Sequence, residues 1–265
     1  KKENPFISKK VFYFHEDLIN ITKKDIDIIS PQIVIHLAAS FQRSDENSQF
    51  LDINFNDNVL ATHNLVKSIK YQKTVEKFIY ASSYLVYEKD QYLNKRPRDP
   101  KLINEKSKID MRNLIAASKI YGEKESDFLI KFNKKIDIIK LRIFRGYSTG
   151  CDSIISRWVR AILSNKIINV YNDLSSFDFI FAKDTALLIY DISNSSKKIN
   201  SVLNVGSGSS IQIKEILKIL KQKINKNVKI SYEKGFIDLF ENSLADIRKL
   251  KKYSKWKAKT SIESG

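Results

Sequence analysis

The sequence predicts an α/β fold in which a doubly wound parallel sheet is covered by helices on both faces. Three observations support this class: short β-branched and aromatic runs alternate with longer amphipathic stretches, the runs are almost continuously apolar, and no repeats or low-complexity linkers interrupt them. Strands that are apolar throughout are typical of a sheet buried on both faces. A chain of 265 residues can build one large domain or a sheet domain with a smaller companion.

The first half of the chain follows this alternation closely. β-Branched and aromatic runs predict strands at residues 11–14, 33–37, 78–81 and 136–141. Amphipathic stretches between them predict helices at residues 50–70 and 109–132. Strands that alternate with helices in this way indicate parallel pairing, since parallel neighbours need a long crossover connection.

After Gly150 the pattern is less regular and indicates a smaller α+β unit. It predicts a helix at 154–163, strands at 168–171 and 177–181, and a helix at 184–192. Ser209 and Gln212, three positions apart, predict a capping box that opens a helix through Ile224. We therefore expect a first unit over residues 1–150 and a second over residues 151–265.

The chain is strongly basic, with 47 Lys and Arg, 30 Asp and Glu, and a formal net charge of +17. Lysine occurs in almost every segment, which indicates a general bias of composition and mostly solvated charges. A denser group between Arg248 and Lys259, beside Tyr253 and Trp256, leaves nucleic-acid binding as a remote alternative. We expect no nucleic-acid partner, and a positive field that favours small anionic ligands.

The sequence offers few residues that could form a disulfide or bind a metal, and no segment that could anchor the chain in a membrane. Cys151 is the single cysteine, and His15, His36 and His63 have no metal-ligand spacing, so we expect no metal and a reducing compartment. No apolar run approaches the roughly 18 residues of a membrane span, and residues 1–5 lack a signal peptide's apolar core. The sequence therefore predicts a cytoplasmic protein without a membrane partner.

Several short motifs lie at predicted strand ends and on predicted helices. Residues 33–39 read IVIHLAA, residues 80–87 read YASSYLVY, residues 115–119 read IAASK, and residues 203–208 read LNVGSG. In this order they resemble the extended short-chain dehydrogenase/reductase family of NAD-dependent epimerases and dehydratases, whose members act on nucleotide-linked sugars. The resemblance covers nearly all 265 residues.

This resemblance implies a Rossmann-like sheet, with residues 1–150 as a partial NAD-binding domain and residues 151–265 as a substrate-binding lobe. Residues 177–181 and 203–208 are expected near the cleft between them. A dinucleotide-binding sheet begins with a strand, a glycine-rich turn and a helix, but no glycine occurs before Gly122. We therefore expect the first βαβ unit to be missing and the chain to be a fragment of a longer protein.

The family's catalytic residues are matched only in part. Ser83 matches the serine that orients the sugar hydroxyl, and Lys119 matches the lysine that assists a tyrosine acid/base one helical turn away. Residues four apart share a helix face, and the tyrosine's place holds Ile115, which can neither donate nor accept a proton. Tyr84 and Tyr87, on the serine strand, are the nearest candidates to replace it.

The resemblance also implies NAD or NADP as the cofactor. The positions that match the family's cofactor-binding residues are Asp17, Leu37, Ala38, Ala39, Asn58, Ser82 and Lys119. Among them, Asp17 matches the acid that accepts a hydrogen bond from the adenine amino group. Asn58 matches the helix residue that fixes the strand below the nicotinamide.

On the substrate side, Ser83 and Asp178 match family positions. The family's arginine before that aspartate is replaced here by Phe177, which removes a cation that commonly contacts the diphosphate. Arg145 or Arg157 is expected to supply a forked phosphate contact instead. The nucleotide sugar would then be held by Ser83, Arg145, Arg157 and Asp178.

Two functions remain open at this point. The serine strand lacks the Thr-Asp-Glu run of sugar-nucleotide 4,6-dehydratases, which favours an NAD(P)-dependent nucleotide-sugar epimerase or 4-keto reductase used in making surface-polysaccharide precursors. A homodimer formed through the helix that carries Lys119 is expected with it. The alternative is a catalytically degenerate relative that binds a sugar nucleotide or a partner without turnover, as Ile115, Phe177 and the missing glycine turn suggest.

Overall fold

A computed structural model describes residues 11–41, 46–97, 99–224, 227–233 and 239–265 of the chain. Its centre is a sheet of four strands, numbered in chain order: β1 Ile33–His36, β2 Lys77–Ser83, β3 Asp137–Ile143 and β4 Ser201–Val205. The strands lie side by side in that order. All three pairings are parallel, which confirms the predicted α/β class.

Helices connect and cover these strands. They are α1 Lys23–Ile29, α2 Ser48–Asn54, α3 Ala61–Ile69, α4 Leu114–Phe128, α5 Ile154–Leu163, α6 Ala182–Asn194, α7 Ile213–Lys223 and α8 Leu250–Tyr253. Short strands form two-stranded pairs outside the central sheet. They are Leu93–Asn94, Lys101–Ile103, Arg145–Tyr147, Ile168–Val170, Ser176–Phe177, Phe179–Phe181, Ile211–Gln212, Ile230–Tyr232, Phe240–Glu241 and Ser243–Ala245. Among the described helices, none is long and apolar enough to cross a membrane.

Side chains that alternate along β2 and β3 build a core on each face of the sheet. Phe78, Tyr80 and Ile138 join one core with residues of α3. Ile79 and Ile139 join the other core with residues of α6. All five are at most 1% exposed, which explains why these strands read as nearly continuous apolar runs.

The two long helices predicted for the first half are present, with different limits. The helix at residues 50–70 corresponds to α2 and α3, which are joined by a π-helical turn at Phe55–Leu60. The helix predicted to begin at residue 109 begins at Leu114, because Asn113 caps it and accepts a hydrogen bond from the Ala116 N–H at 3.0 Å. Such a cap satisfies one of the free amides of the first turn.

In the second half, α5 spans the residues that the sequence predicted. The predicted capping residue of α7 was wrong: this helix begins at Ile213 and its cap is Gln212, whose N–H donates to the Glu215 carboxylate at 3.4 Å. Ser209 cannot cap it, because Ile211–Gln212 forms a short antiparallel strand with Ser176–Phe177 ahead of the helix.

The strand predicted at residues 11–14 was also wrong. The structure has no strand there, and Val11, Phe12 and Phe14 are 52%, 83% and 47% exposed. A strand requires a partner to satisfy its backbone, and β1, the closest strand in the sequence, pairs only with β2 within the described residues. High β-propensity therefore leaves these side chains without a sheet to join.

Candidate functional site

The carboxyl ends of β2 and β3 open into a cavity of about 520 Å3. Ser83 ends β2, Arg145 follows β3, and both line this cavity. Arg112, just before α4, adds a second cation, while Phe144 and Phe179 add aromatic surface. Ligands of open parallel sheets bind in the crevice outside the carboxyl ends of the strands, so this cavity is the candidate substrate site.

A second cavity, of about 360 Å3, adjoins the first. Arg112 and Arg145 line both cavities, so the two arginines stand at their boundary. The wall of the second cavity also carries Trp158, Asn169 and Asn172. Aromatic and amide groups of this kind can stack on a planar ring and hydrogen-bond its edge.

A buried carboxylate holds the two arginines in place. Glu241, 5% exposed, accepts a hydrogen bond from Arg145 Nη2 at 2.8 Å and lies 3.5 Å from Arg112 Nη1. The Tyr84 hydroxyl donates to its other oxygen at 2.8 Å. Burial alone would raise the pKa of Glu241, but Arg145 and Arg112 outweigh it and hold that pKa below its ordinary value. The cluster therefore keeps a net positive charge at neutral pH.

Arg145 fills the place where the sequence lacks the family's cation. Its guanidinium carbon lies 4.0 Å from the centre of the Phe177 ring. Its Nε is buried and has no hydrogen-bond partner among the described residues. Arg157, the alternative, lies on α5 with an exposed side chain 4.0 Å from Asp152, and it lines neither cavity.

The two adjacent serines of β2 have different surroundings, one at the cavity wall and one in the protein interior. Ser83 is half-buried at the cavity wall, and its Oγ accepts a hydrogen bond from the Leu85 N–H at 3.2 Å. Ser82 is buried, and its Oγ donates to Glu123 at 2.6 Å. Glu123 in turn binds Arg142 through two hydrogen bonds of 2.8 Å, so the Ser82 hydroxyl belongs to a buried ion-pair network rather than to the cavity.

Lys119 is buried beside two aromatic rings. It is 8% exposed, and its Nζ lies 5.2 Å from the centre of the Tyr80 ring. No described residue accepts a hydrogen bond from this Nζ, and burial lowers the pKa of Lys119 to about 8. His36, 5.5 Å from Tyr80 between ring centres, has a pKa lowered to about 4 by burial and by Lys119. This corner of the sheet therefore disfavours positive charge.

The hydroxyls of Tyr84 and Tyr87, which follow the serine strand, are both engaged with other residues of the protein. Ile115 is 3% exposed on α4, one turn before Lys119. The Tyr84 hydroxyl is engaged with Glu241, and the Tyr87 hydroxyl donates to Asn204 Oδ1 at 2.6 Å. Burial raises the pKa of Tyr84 well above its ordinary value and that of Tyr87 to about 12.

Four of the predicted cofactor-side residues follow β1, whereas Asp17 precedes it. Asn58, in the π-helical turn, accepts a hydrogen bond from the Ser40 N–H at 2.8 Å and donates to the Ser40 carbonyl at 2.9 Å. These bonds fix the backbone that follows Leu37, Ala38 and Ala39, three residues that are exposed. Exposed Asp17 accepts a hydrogen bond from the nearby Ile19 N–H at 3.1 Å.

Asp178, predicted to contact substrate, is placed elsewhere by the structure. It is 0% exposed, and its carboxylate accepts hydrogen bonds from the N–H groups of Ser207, Gly208 and Ala245 and from the Ser207 hydroxyl, at 2.6 to 3.1 Å. Burial outweighs these bonds and raises its pKa. A carboxylate that is enclosed by its own protein holds the turn after β4 and has no oxygen to offer a ligand.

The residues described do not fit the pyrophosphate of a dinucleotide. Such a group needs free backbone amides at a glycine turn between a strand and a helix. In the glycine turn after β4, the N–H groups of Ser207 and Gly208 donate to the Asp178 carboxylate and are not free. The connection that follows β1 contains no glycine. The described residues therefore include matches for the adenine and nicotinamide ends of the cofactor but none for its pyrophosphate, and no His, Cys, Asp or Glu cluster in the described ranges suits a metal.

Sequence reasoning missed Arg112, Glu241 and Trp158. Arg112 and Glu241 meet only through the fold, and neither stands in a motif of the sequence. One indication of the arginine pair is present in the sequence: Phe177 replaces the family's arginine, so a substrate diphosphate would need another cation nearby. That indication led to Arg145 but not to its partner or its counter-ion.

The fold and the cleft define an α/β protein of the Rossmann-like class with its site at the carboxyl edge of the sheet. The sequence model of the NAD dependent epimerase/dehydratase family matches residues 10–206, which is more than half of the chain. The protein therefore belongs to the NAD-dependent epimerase/dehydratase family. No curated protein matches it significantly in sequence.

Solved structures share this fold. UDP-glucuronic acid 4-epimerase from Bacillus cereus, in complex with UDP-glucuronic acid and NAD, is similar with a TM-score of 0.84 and 22% identity, over 98% of this chain and 80% of that chain. MoeE5 in complex with UDP-glucuronic acid and NAD is similar with a TM-score of 0.81 and 22% identity, over 95% of this chain and 82% of that chain. UDP-glucose 4-epimerase from Thermus thermophilus in complex with NAD has a TM-score of 0.80 and 20% identity, over 98% of this chain and 83% of that chain. The cofactor in all three is NAD, as expected for the family.

Proposed function

We propose that this chain binds a nucleotide sugar across its two cavities. The sugar lies beside Ser83, the nucleoside lies beside Trp158, and the diphosphate lies against Arg112 and Arg145. The observation that carries the proposal is the position of this arginine pair at the boundary of the two cavities. A diphosphate joins a sugar to a nucleoside, so its charge falls between their two sites.

The chemistry of the boundary supports this assignment. Guanidinium groups present forked donors that match phosphate oxygens. Ser83 and Arg145 belong to the first predicted unit, residues 1–150, and Trp158 to the second, residues 151–265. The named complexes with UDP-glucuronic acid support the ligand class.

Calorimetric titration with UDP-glucose and UDP-glucuronic acid tests the proposal. Arg145→Met is expected to weaken binding at least about tenfold, which corresponds to about 1.4 kcal/mol. Arg157→Met, which removes the same charge outside both cavities, is the matched control and is expected to bind like the wild type. Equal binding by Arg145→Met, in a protein whose thermal unfolding is unchanged, would contradict the assignment.

For the reaction, the proposal is epimerisation or reduction of a 4-keto sugar in surface-polysaccharide precursor synthesis. Ser83 would orient a sugar hydroxyl at the cavity wall, and Lys119, buried on α4, would contact the cofactor. The family membership supports this class of reaction. Product formation from UDP-glucose or UDP-glucuronic acid with added NAD, followed by chromatography, tests it.

A second candidate is a relative that binds without turnover, and buried Ile115 favours it. Loss of a positioned acid/base typically slows a reaction by 10² to 10⁴. Ile115→Tyr, compared with the wild type, separates the two candidates. Turnover by both supports the enzyme, whereas sugar binding by both with turnover only in the variant supports the degenerate relative.

We also propose a homodimer through α3 and α4. Between these helices lies a cavity of about 500 Å3 lined by Val66, Phe128 and Phe132. Phe128 and Phe132 are 49% and 41% exposed, and a second copy would cover them. Light scattering is expected to give twice the chain mass, and Phe128→Lys is expected to return the monomer. A monomeric wild type would refute this interface.

A further inference from the structure

A cavity more than twice as large as the candidate substrate cavity lies at the opposite end of the sheet. Its volume is about 1150 Å3, and its wall includes Ile33 of β1, Lys77 of β2 and Asp137 of β3. Lys77 begins β2 and Ser83 ends it, so the length of the strand, about 20 Å, separates the two cavities. The proposed binding of a nucleotide sugar uses nothing at this amino edge.

Lysine is concentrated around this cavity. Three loops, each leading from a helix into a strand, form its rim: residues 70–76, 132–136 and 195–200. Each loop contributes two lysines, and these six are called the rim lysines: Lys70, Lys73, Lys134, Lys135, Lys197 and Lys198. With Lys77, seven of the 19 lining residues are lysines, whereas Lys and Arg together are 47 of 265 residues in the chain. The basic composition of the chain alone does not account for such a density.

Hydrogen bonds hold the three loops against one another. Asn133 Nδ2 donates to the Val75 carbonyl at 3.1 Å, which joins the first loop to the second. Lys198 Nζ donates to the Lys134 carbonyl at 3.1 Å, which joins the second loop to the third. The fold therefore brings lysines from three distant parts of the sequence to one cavity and fixes the backbone that carries them.

The protein leaves the positive charge of this rim largely unpaired. Two carboxylates line the cavity, those of Glu76 and Asp137. Asp137 Oδ1 accepts hydrogen bonds from the N–H groups of Ile199 and Asn200, at 2.9 and 2.6 Å. None of the rim lysines forms an ion pair with a carboxylate of the described residues. Six lysines therefore face two carboxylates, and the rim attracts anions.

The helix that ends at this cavity already has its own counter-charge. Lys77 is 7% exposed, and its Nζ donates to the carbonyls of Ile192, Ser193 and Ser195 at 2.7 to 2.9 Å. The last carbonyls of a helix lack partners within the helix, and a cation there is stabilising. Lys77 meets that requirement at the end of α6, so the rim lysines are not needed for it.

The shape and charge of the cavity select a small anion with several charges. Ammonium groups bind phosphate as point charges. Phosphates linked in a chain can contact lysines of two or three loops at once, whereas a single phosphate reaches fewer of them. Tyr71, 61% exposed at the same cavity, offers an aromatic face on which a base could stack.

We propose that this cavity binds a chain of phosphates, as carried by nucleoside polyphosphates and by inorganic polyphosphate. Lys134, Lys135, Lys197 and Lys198 contact the phosphates, and Lys73 extends the site along the first loop. The site is separate from the arginine pair, and it does not depend on the proposed binding of a nucleotide sugar.

Calorimetric titration with sodium tripolyphosphate tests the proposal. The wild type is expected to bind it saturably, and the double variant Lys134→Gln/Lys135→Gln is expected to bind at least about tenfold more weakly. The matched control is Lys251→Gln/Lys252→Gln, which removes two adjacent exposed charges of α8 outside the cavity and is expected to bind like the wild type. Absence of saturable binding would overturn the proposal. An equal loss in both double variants would also overturn it, because net charge alone would then attract the phosphates.

The arginine pair is the other place where phosphates could bind, and Arg145→Met distinguishes the two. This variant is expected to bind tripolyphosphate like the wild type, and UDP-glucose is expected not to displace tripolyphosphate from the wild type. Loss of tripolyphosphate binding in Arg145→Met would place the phosphates in the substrate cavities and overturn the proposal. Tripolyphosphate binding by a wild type that does not bind UDP-glucose would support this site and refute the proposed function alone.

A comparison of ATP with tripolyphosphate in Arg145→Met identifies the source of the phosphates. Tighter binding of ATP that is lost in the added variant Tyr71→Ala would identify a nucleoside polyphosphate as the ligand. Equal binding of both would identify the phosphate chain itself. Binding of either that is unchanged by Lys134→Gln/Lys135→Gln would overturn the assignment to this cavity.

Discussion

The buried charge of Lys119 is expected to lower the stability of this protein, and the lowered pKa of Lys119 indicates the order of magnitude of the effect. Burial lowers the pKa of Lys119 from 10.5 to about 8. A difference of roughly 2.5 units corresponds to about 3 kcal/mol. The cation–π contact with Tyr80 offsets about 0.5–2 kcal/mol of this. Lys119→Met, which keeps the length of the side chain and removes the charge, is therefore expected to stabilise the protein by about 1–3 kcal/mol at neutral pH.

The gain has a defined pH dependence. Below about pH 8, Lys119 is charged in the folded and the unfolded state, so the folded state bears the full cost. Between about pH 8 and 10.5, the unfolded chain binds more protons than the folded one, and wild-type stability rises with pH. The advantage of Lys119→Met is thus complete below about pH 8 and vanishes near pH 10.5.

Urea unfolding at about pH 7 and about pH 10 measures this difference. Lys183→Met is the matched control, because Lys183 is an exposed lysine of another helix, α6, away from the proposed dimer interface. Subtracting the control removes general effects of alkaline pH on the surface charges. The reasoning is refuted if Lys119→Met is less stable than the wild type at pH 7, or if its advantage is the same at both pH values.

Three further changes have expected outcomes. The pKa of His36 is lowered from 6.5 to about 4, so the unfolded chain binds a proton first and stability is expected to fall by up to about 3 kcal/mol as the pH drops through that window. His36→Gln should reduce this loss, measured as the change in thermal unfolding midpoint with pH. Gly122→Ala places a Cβ against the Tyr80 hydroxyl and is expected to cost about 1–3 kcal/mol in urea unfolding, whereas Gly146→Ala meets nothing within 4 Å and serves as its control. Glu241→Gln removes the buried charge that holds the arginine pair and is expected to lower the midpoint of thermal unfolding, because the two partly exposed guanidinium groups then repel each other.

The helices of this protein were predictable because their signals are local. Apolar residues at helical spacing and Ser153, whose side chain accepts from the Ser156 N–H, define α5 without help from the rest of the chain. Residues 11–14 have equally local signals for a strand, but a strand exists only beside a partner. The strand predicted at residues 11–14 is absent because no neighbouring strand pairs with those residues, and β1 likewise has a partner on one side only within the described residues.

The candidate site was predictable only where a motif marks it. Ser83 and Arg145 follow recognisable strand ends, and both line the cavity. Asp178 stands in a motif as well, yet burial and four hydrogen bonds from its own protein decide its role, and the sequence does not contain that information. Glu241 was missed because a carboxylate becomes a counter-ion only through the residues that the fold brings to it.

The energetics of the site favour ligand binding over proton transfer. Lys119 lacks an acceptor and Arg145 Nε lacks a partner in the part of the chain that the structure describes, and each lowers the stability of the free protein. Groups that are costly in this way are typical of sites that a ligand completes. Ile115 has no such cost, because an apolar side chain suits its buried position. The chain thus has unsatisfied polar groups at its site but an apolar residue at position 115, which is why Ile115→Tyr is the variant that separates binding from turnover.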